Sequence, residues 1–279
     1  MANRYIFSGH ESFYCKSLWL KKGYDAISSG VDFNSPDAVV ALGVGKNMVA
    51  SIRFWMKAFG LWDTQRLTPF AKYIFGVNGK DPYIEDTGTL FLLHYSLIRT
   101  GIASIYPLSF LEFRREKVEF ERETLQAFVK RKCSVPEQRN VYNENTVRKD
   151  IRVMLQTYVT PADMKSPEDF SALLIDLGLI RRLGDDRYCF VETGPDALDA
   201  RLLLFALLDW KGGDSTVSFD VMQELCLIFG LSVSTFVSKV KEMEALYPGR
   251  VRFTDNSGIK NIQFLGGLDR FEVLNEYYG

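Results

Sequence analysis

Apolar residues along this chain recur at helical spacing in runs punctuated by glycine, and the runs divide the sequence into three stretches. In the first, residues 33–62, Ser35 can cap a helix, Pro36 suits a first turn, Asp37 favours a helix N-terminus, and an apolar run continues to Gly43. The helix that follows has Met48, Ile52, Trp55 and Phe59 on one side and Lys46, Arg53 and Lys57 on the other. A short helix, the turn Leu42-Gly43-Val44-Gly45 and an amphipathic helix make the order of a helix-turn-helix, whose second helix can enter a major groove. Residues 67–75 read as a wing or a connecting segment.

The second stretch spans residues 114–191. Val147, Ile151, Met154, Leu155 and Tyr158 form an apolar stripe, with Arg148, Lys149 and Arg152 gathered on another side. Between residues 130 and 152 seven basic residues face three acidic ones, a local charge of +4 that forms the best electrostatic footprint in the sequence. Residues 170–177 read as a helix stopped by Gly178, and residues 180–183 and 187–191 flank Gly184-Asp185-Asp186 as a hairpin.

The third stretch begins after Thr193-Gly194-Pro195. It offers an apolar helix over residues 197–210, a Gly212-Gly213 linker, a helix over 219–229, and another carrying Phe236, Val240 and Met243. A hairpin of 250–254 with 259–265 turns around Asp255-Asn-Ser-Gly258. Helix, turn, helix, hairpin is winged-helix order, repeated with variations. The polar face of the last helix, Ser234, Ser238 and Lys241 beside Glu242 and Glu244, suits a protein partner as well as DNA. The expected architecture is mainly α with α+β character, built of tandem winged-helix or helix-turn-helix-like units with short β-hairpin wings. Its domains are an N-terminal one with the helix-turn-helix-like unit (1–110), a middle basic winged-helix-like unit (111–193) and a C-terminal winged-helix-like domain (194–279).

Composition narrows the class without naming a function. At 47% hydrophobic and 25% charged, 279 residues read as an ordinary globular chain, which excludes disordered and fibrous proteins. No apolar run approaches the ~18 to 20 residues that span a bilayer, and residues 1–10 lack a signal-peptide pattern, so a cytoplasmic protein with no membrane partner is expected. Cys15, Cys133, Cys189 and Cys226 are widely separated with no Cys-x-x-Cys pair, and read as small buried apolar residues rather than disulfides or a zinc site. With 34 Lys+Arg against 35 Asp+Glu the net charge is −1, so any argument for DNA is local. The local candidates are Lys46, Asn47, Arg53 and Lys57 on the first helix and Arg148, Lys149 and Arg152 on the second, contacting phosphates or bases.

Three motifs bear on chemistry. Gly43-Val-Gly-Lys46 is not a phosphate loop, because that loop needs glycine where Val40 stands and Ser or Thr where Asn47 stands. His10 beside Glu11 could move a proton or ligate a metal near neutral pH, although Ser8 with Glu11 also spells a capping box. Asp81, Glu85 and Asp86 precede an apolar helix. They favour its dipole, and Glu85 with Asp86 would also suit a divalent Mg or Mn ion in phosphodiester chemistry. His94 shares a face with Leu90 and Leu97, which points to a buried, satisfied histidine.

Phe7-Ser-Gly-His-Glu-Ser-Phe13 with Trp19-Leu20 and Lys22-Gly23, then Leu42-Gly-Val-Gly-Lys-Asn-Met-Val49 through Arg53 and Trp55, then Asp81-Pro-Tyr, Glu85-Asp86 and Leu92-Leu-His94 together resemble the SspB-like family. The likeness is strongest over about the first hundred residues and continues mainly in layout, including residues 146–158. Ser12 stands where threonine is usual and Lys16 where arginine is commoner, both keeping the chemical type. The resemblance implies a subunit of a bacterial DNA phosphorothioation system, acting beside a cysteine desulfurase, a PAPS-reductase-like ATP pyrophosphatase and an ATPase in phage defence. It implies an endonuclease that nicks one strand so that sulfur can replace a non-bridging phosphate oxygen; the imidazole of His10 beside the carboxylate of Glu11, read from the residues themselves, supplies the catalytic candidates for such a cut. Duplex DNA and the sulfur-transfer and ATPase subunits are the expected partners, and a homodimer is one candidate assembly. The competing readings are a non-catalytic DNA-binding adaptor that recruits the sulfur-transfer enzyme, and a transcriptional regulator.

Overall fold

The computed structural model describes residues 4–161, 172–256 and 259–279, and the chain divides into two compact units, residues 1–191 and 192–279. It is mainly helical, with two small antiparallel sheets. In the first unit, α1 (Trp19–Ser28), α2 (Ala38–Leu42) and α3 (Lys46–Ala58) pack on one another, and α4 (Pro69–Phe75) and α5 (Thr87–Thr100) complete the helical half. α2 stops at Gly43, whose left-handed φ of 62° breaks the helix before α3 begins. α1 approaches α3 closely at Gly23, where a Cβ would lie 2.6 Å from Met56. Residues 69–75 are a helix rather than a wing: Thr68 accepts a hydrogen bond from the Ala71 amide and Pro69 sits in the first turn, the local chemistry of a helix start.

The second half of this unit begins with α6 (Ile105–Pro107), which runs through a π-helical turn at Leu108–Phe113 into α7 (Arg114–Glu116). Then come β1 (Glu119–Glu121), α8 (Arg122–Lys132), α9 (Glu144–Tyr158), β2 (Ile180–Arg182) and β3 (Arg187–Phe190), with sheet order β1-β3-β2. The expected hairpin forms, pairing Ile180 with Phe190 and Arg182 with Tyr188. Of the helix expected over residues 170–177, positions 170 and 171 lie outside the described residues. The remainder holds only a 3₁₀ turn, Ile175–Leu177, ended by the left-handed Gly178.

One aromatic chain joins the two halves. Trp55 meets Tyr106, Tyr106 meets Tyr158, Tyr158 meets Phe110, and Phe110 and Phe120 both meet Phe190, with ring centroids 5.1 to 6.1 Å apart. Position 110/111 therefore lies inside a continuous core.

The second unit holds α10 (Ala200–Lys211), β4 (Thr216–Ser218), α11 (Phe219–Phe229), α12 (Val233–Leu246), β5 (Val251–Asn256), β6 (Ile259–Phe264) and α13 (Arg270–Tyr278), with sheet order β4-β6-β5. Helix, strand, helix, helix, strand, strand thus occurs twice, each time with the last strand in the middle of its sheet. α12 buries Phe236, Val240 and Met243, and α13 packs along α10. All four cysteines are buried and none forms a disulfide. No single helix among the described residues is long and apolar enough to cross a membrane.

Candidate functional site

α9 is amphipathic by sequence, and the fold uses both of its faces. Asn143 caps it by accepting from the Thr146 amide, and Val147, Ile151, Met154, Leu155 and Tyr158 are buried. Arg148, Lys149 and Arg152 are exposed on the other side. Arg148 pairs with Glu144 at 2.8 Å, whereas no ion pair among the described residues engages Lys149 or Arg152. An exposed i,i+4 pair contributes only about 0.3 to 0.5 kcal/mol, so Arg148 is easily recruited by a phosphate.

The basic side of α3 is more constrained. Lys46 and Asn47 are exposed in its first turn. Arg53 is half-buried and donates to Asn34 Oδ1 at 2.5 Å, and the Lys57 ammonium lies 5.3 Å from the Trp62 ring. Burial, and then the charge of Arg53, pull the Lys57 pKa below its ordinary value. Two of the four polar groups expected to face DNA on this helix are thus already in use within the fold.

His10 lies in the interior at 3% exposure, stacked on Trp55 with ring centroids 6.0 Å apart and edge-on to Phe54. The Ser12 backbone N–H donates to His10 Nδ1 at 3.1 Å, so Nδ1 is the acceptor and Nε2 carries the proton. That proton is directed at Asp150 Oδ1, 3.0 Å away on α9. Asp150 also accepts from the Ser8 amide, at 3.1 and 3.0 Å to its two oxygens. The local backbone follows from these contacts: Ser8, Gly9, Glu11 and Ser12 all have positive φ. At Gly9 (φ 98°) a Cβ would meet the Phe54 ring at 2.6 Å, so only glycine fits.

Neither Ser8 nor Glu11 forms a capping box, because no helix starts there; α1 begins at Trp19. The segment is an irregular strap. Tyr5 donates from its amide to Gln138, Ile6 to Ser104 and Ser8 to Asp150, binding it across the unit to the turn between α8 and α9, to the start of α6 and to α9. Glu11 is exposed.

Glu85 and Asp86 sit in the turn before α5. The buried Asp81 accepts from the amides of both, at 2.9 and 3.0 Å, and Asp86 caps α5 by accepting from the Gly88 amide at 2.7 Å. Among the described residues no group of three or more His, Cys, Asp or Glu side chains could hold a metal. Asp86→Ala is therefore expected to cost about 1 kcal/mol, the usual loss for a helix cap, in a thermal or urea melt. Unchanged stability would show that Asp86 has some role other than capping. His94 is buried with Nδ1 2.7 Å from the Tyr158 hydroxyl, whose pKa burial pushes well above the ordinary phenol value.

Sequence reasoning missed Asp150 as the partner of His10, since 140 residues separate them. It also missed Arg122 and Arg182, which face a cleft beside Arg152. The Arg181-Arg182 doublet entering a hairpin turn was a readable signal for the second of these.

The model of a family described as a protein of unknown function, DUF4007, matches residues 7–278. Two solved structures are similar: a magnesium ion-bound SspB crystal structure with TM-score 0.84 and an SspB crystal structure with TM-score 0.80. Each is 26% identical, with the match covering 98% of this chain and 87% of the other. No curated protein matches the chain.

Proposed function

Because the chain belongs to the DUF4007 family and is SspB-like, we propose that it is the DNA-binding subunit of a phosphorothioation system for anti-phage defence. The observation that carries this reading is the solvent face of α9, where Arg148, Lys149 and Arg152 stand clear of the core while the opposite face is locked into it. We read both repeated arrangements as winged helices, with β2-β3 and β5-β6 as the wings and α9 and α12 in the position that enters a groove. The two then divide the work: α9 is basic and takes DNA, whereas α12 presents Ser234, Ser238 and Lys241 beside Glu242 and Glu244 and suits a protein subunit of the same system.

Binding through α9 is tested by measuring affinity for a duplex across a salt series. Replacing Arg148, Lys149 and Arg152 together by alanine is expected to flatten the log K against log salt slope by about 2 to 3, since each phosphate contact contributes about 0.9. An unchanged slope would remove α9 from the interface.

Between a nickase and an adaptor, the geometry favours the adaptor. A general base needs a ring nitrogen within reach of the attacking water, whereas both nitrogens of His10 already have partners in the interior. Glu85 and Asp86 would supply at most two carboxylates to a divalent ion. Asp86 already accepts from a backbone amide, and the octahedral shell of Mg or Mn would take its other oxygens from water and DNA phosphate. In this reading the chain holds DNA for the sulfur-transfer enzyme. Parent protein that nicks supercoiled plasmid in magnesium and stops in a chelator would restore the nickase.

A further inference from the structure

We propose that the cleft between α9 and the β2-β3 hairpin is a phosphodiester-binding site that clamps one strand of the DNA backbone, an inference that rests on the DNA-binding reading of α9. The cleft has a volume of about 300 Å³ and is lined by Arg122 at the start of α8, Arg152 and Gln156 on α9, Thr160 just beyond it, and Arg182 on β2. Three arginines from three separate elements thus line one opening.

Two of them are fixed in place. Arg122 is paired with Asp186 at the hairpin, and Arg182 donates to the Gly184 and Asp185 carbonyls at 2.8 and 2.7 Å. Each retains unused N–H groups, because a guanidinium carries five donors. A fixed fork loses little conformational entropy on binding, which suits recognition of two oxygens on one phosphorus. Arg152 is exposed, and no ion pair among the described residues holds it, so it is able to close over an anion from the helix side. Gln156 and Thr160 add neutral hydrogen-bonding groups.

Charge selects the class of anion. Three arginines set against Asp185, which lines the cleft, and Asp186, which pairs with Arg122, leave a single positive charge. That balance matches the one negative charge of a phosphodiester better than the two of a terminal phosphate. Position selects the source. Arg148, Arg152 and Gln156 recur every fourth residue along α9, so the exposed basic row runs directly into the cleft. A strand whose groove is entered by the helix would pass its backbone between helix and wing.

The test uses the full chain and a duplex carrying one neutral methylphosphonate linkage, moved step by step along each strand. In the parent, one or two linkages should weaken binding well beyond the rest. Arg182→Ala should lower affinity about tenfold, reduce the salt slope by about one, and erase the penalty at one of those linkages. Arg182→Lys should keep the slope and still lose affinity, because a lysine replaces the fork by a point charge. Thermal melts of both variants should match the parent, since Arg182 is exposed.

If Arg182→Ala keeps the parent's slope and interference pattern while the triple alanine variant of α9 flattens the slope, the cleft is not a phosphate site and the DNA-binding reading stands. If the triple variant also leaves the slope unchanged, both fall together. Tighter binding of a nicked duplex bearing a terminal phosphate than of an intact one, lost in Arg182→Ala, would overturn the phosphodiester assignment in favour of a phosphomonoester.

Discussion

Asp150→Ala should lower the stability of the first unit by about 3 to 5 kcal/mol, read as an earlier urea transition. The carboxyl group is 3% exposed and accepts from the Ser8 amide and from His10 Nε2. Truncating it leaves the buried His10 Nε2–H and the part-buried Ser8 amide without their acceptor. Each costs about 1 to 3 kcal/mol, the order seen when one partner of a buried pair is removed. Asp150→Asn retains an acceptor oxygen and should lose roughly half as much. The same logic makes His10→Ala strongly destabilising, while Glu11→Ala, at an exposed turn position, should be mild. A catalytic His10 predicts the reverse pattern: intact melting and lost nicking in His10→Ala. The consequence for function is direct, because Asp150 lies next to Lys149 and two residues from Arg152 on α9. Releasing the strap would also disorder the basic face, so DNA affinity should fall in parallel with stability, not independently of it.

Trp55→Ala should cost a similar 3 to 5 kcal/mol, the range for deleting a buried aromatic side chain. Trp55 is fully buried, its ring packs against His10, Phe54, Phe59 and Tyr106, and its indole N–H donates to the Phe13 carbonyl at 3.2 Å. It therefore fixes the strap from one side as Asp150 does from the other. Trp55→Phe refills most of the volume and should recover more than half of the loss, although the Phe13 carbonyl goes unpaired. Equal melting of Trp55→Ala and parent would show that the aromatic chain does not carry the core. Because Trp55 and Asp150 both contact His10, their double variant should be less destabilised than the sum of the singles.

Local signals in the chain place several of its helices and turns, though not α1, α8 or α13. Asn143 and Asp86 cap helices, Gly43, Gly178 and Gly230 end them in the left-handed conformation, and periodicity placed α3, α9, α11 and α12 with their buried faces. These depend on neighbours within about four residues, which periodicity and capping rules describe well. Short-range rules also mislead: Ser8 and Glu11 have the spacing of a capping box where no helix starts, and residues 67–75, expected as a wing or connector, hold a helix that begins at Thr68-Pro69. The exposure of Arg148, Lys149 and Arg152 followed from the sequence because the apolar stripe of α9 fixes which side faces the core.

What tertiary structure decided was each relation that joins distant segments. His10 finds Asp150 across 140 residues, Arg53 donates to Asn34, and Arg122 and Arg182 come beside Arg152 only when α8 and the β2-β3 hairpin pack against α9. Such pairings are set by how the apolar faces of several helices pack together, and no local spacing records that choice. A buried histidine with both nitrogens engaged and an exposed one beside a carboxylate look alike in sequence. They differ only in whether the chain brings an acceptor and an aromatic wall to the ring.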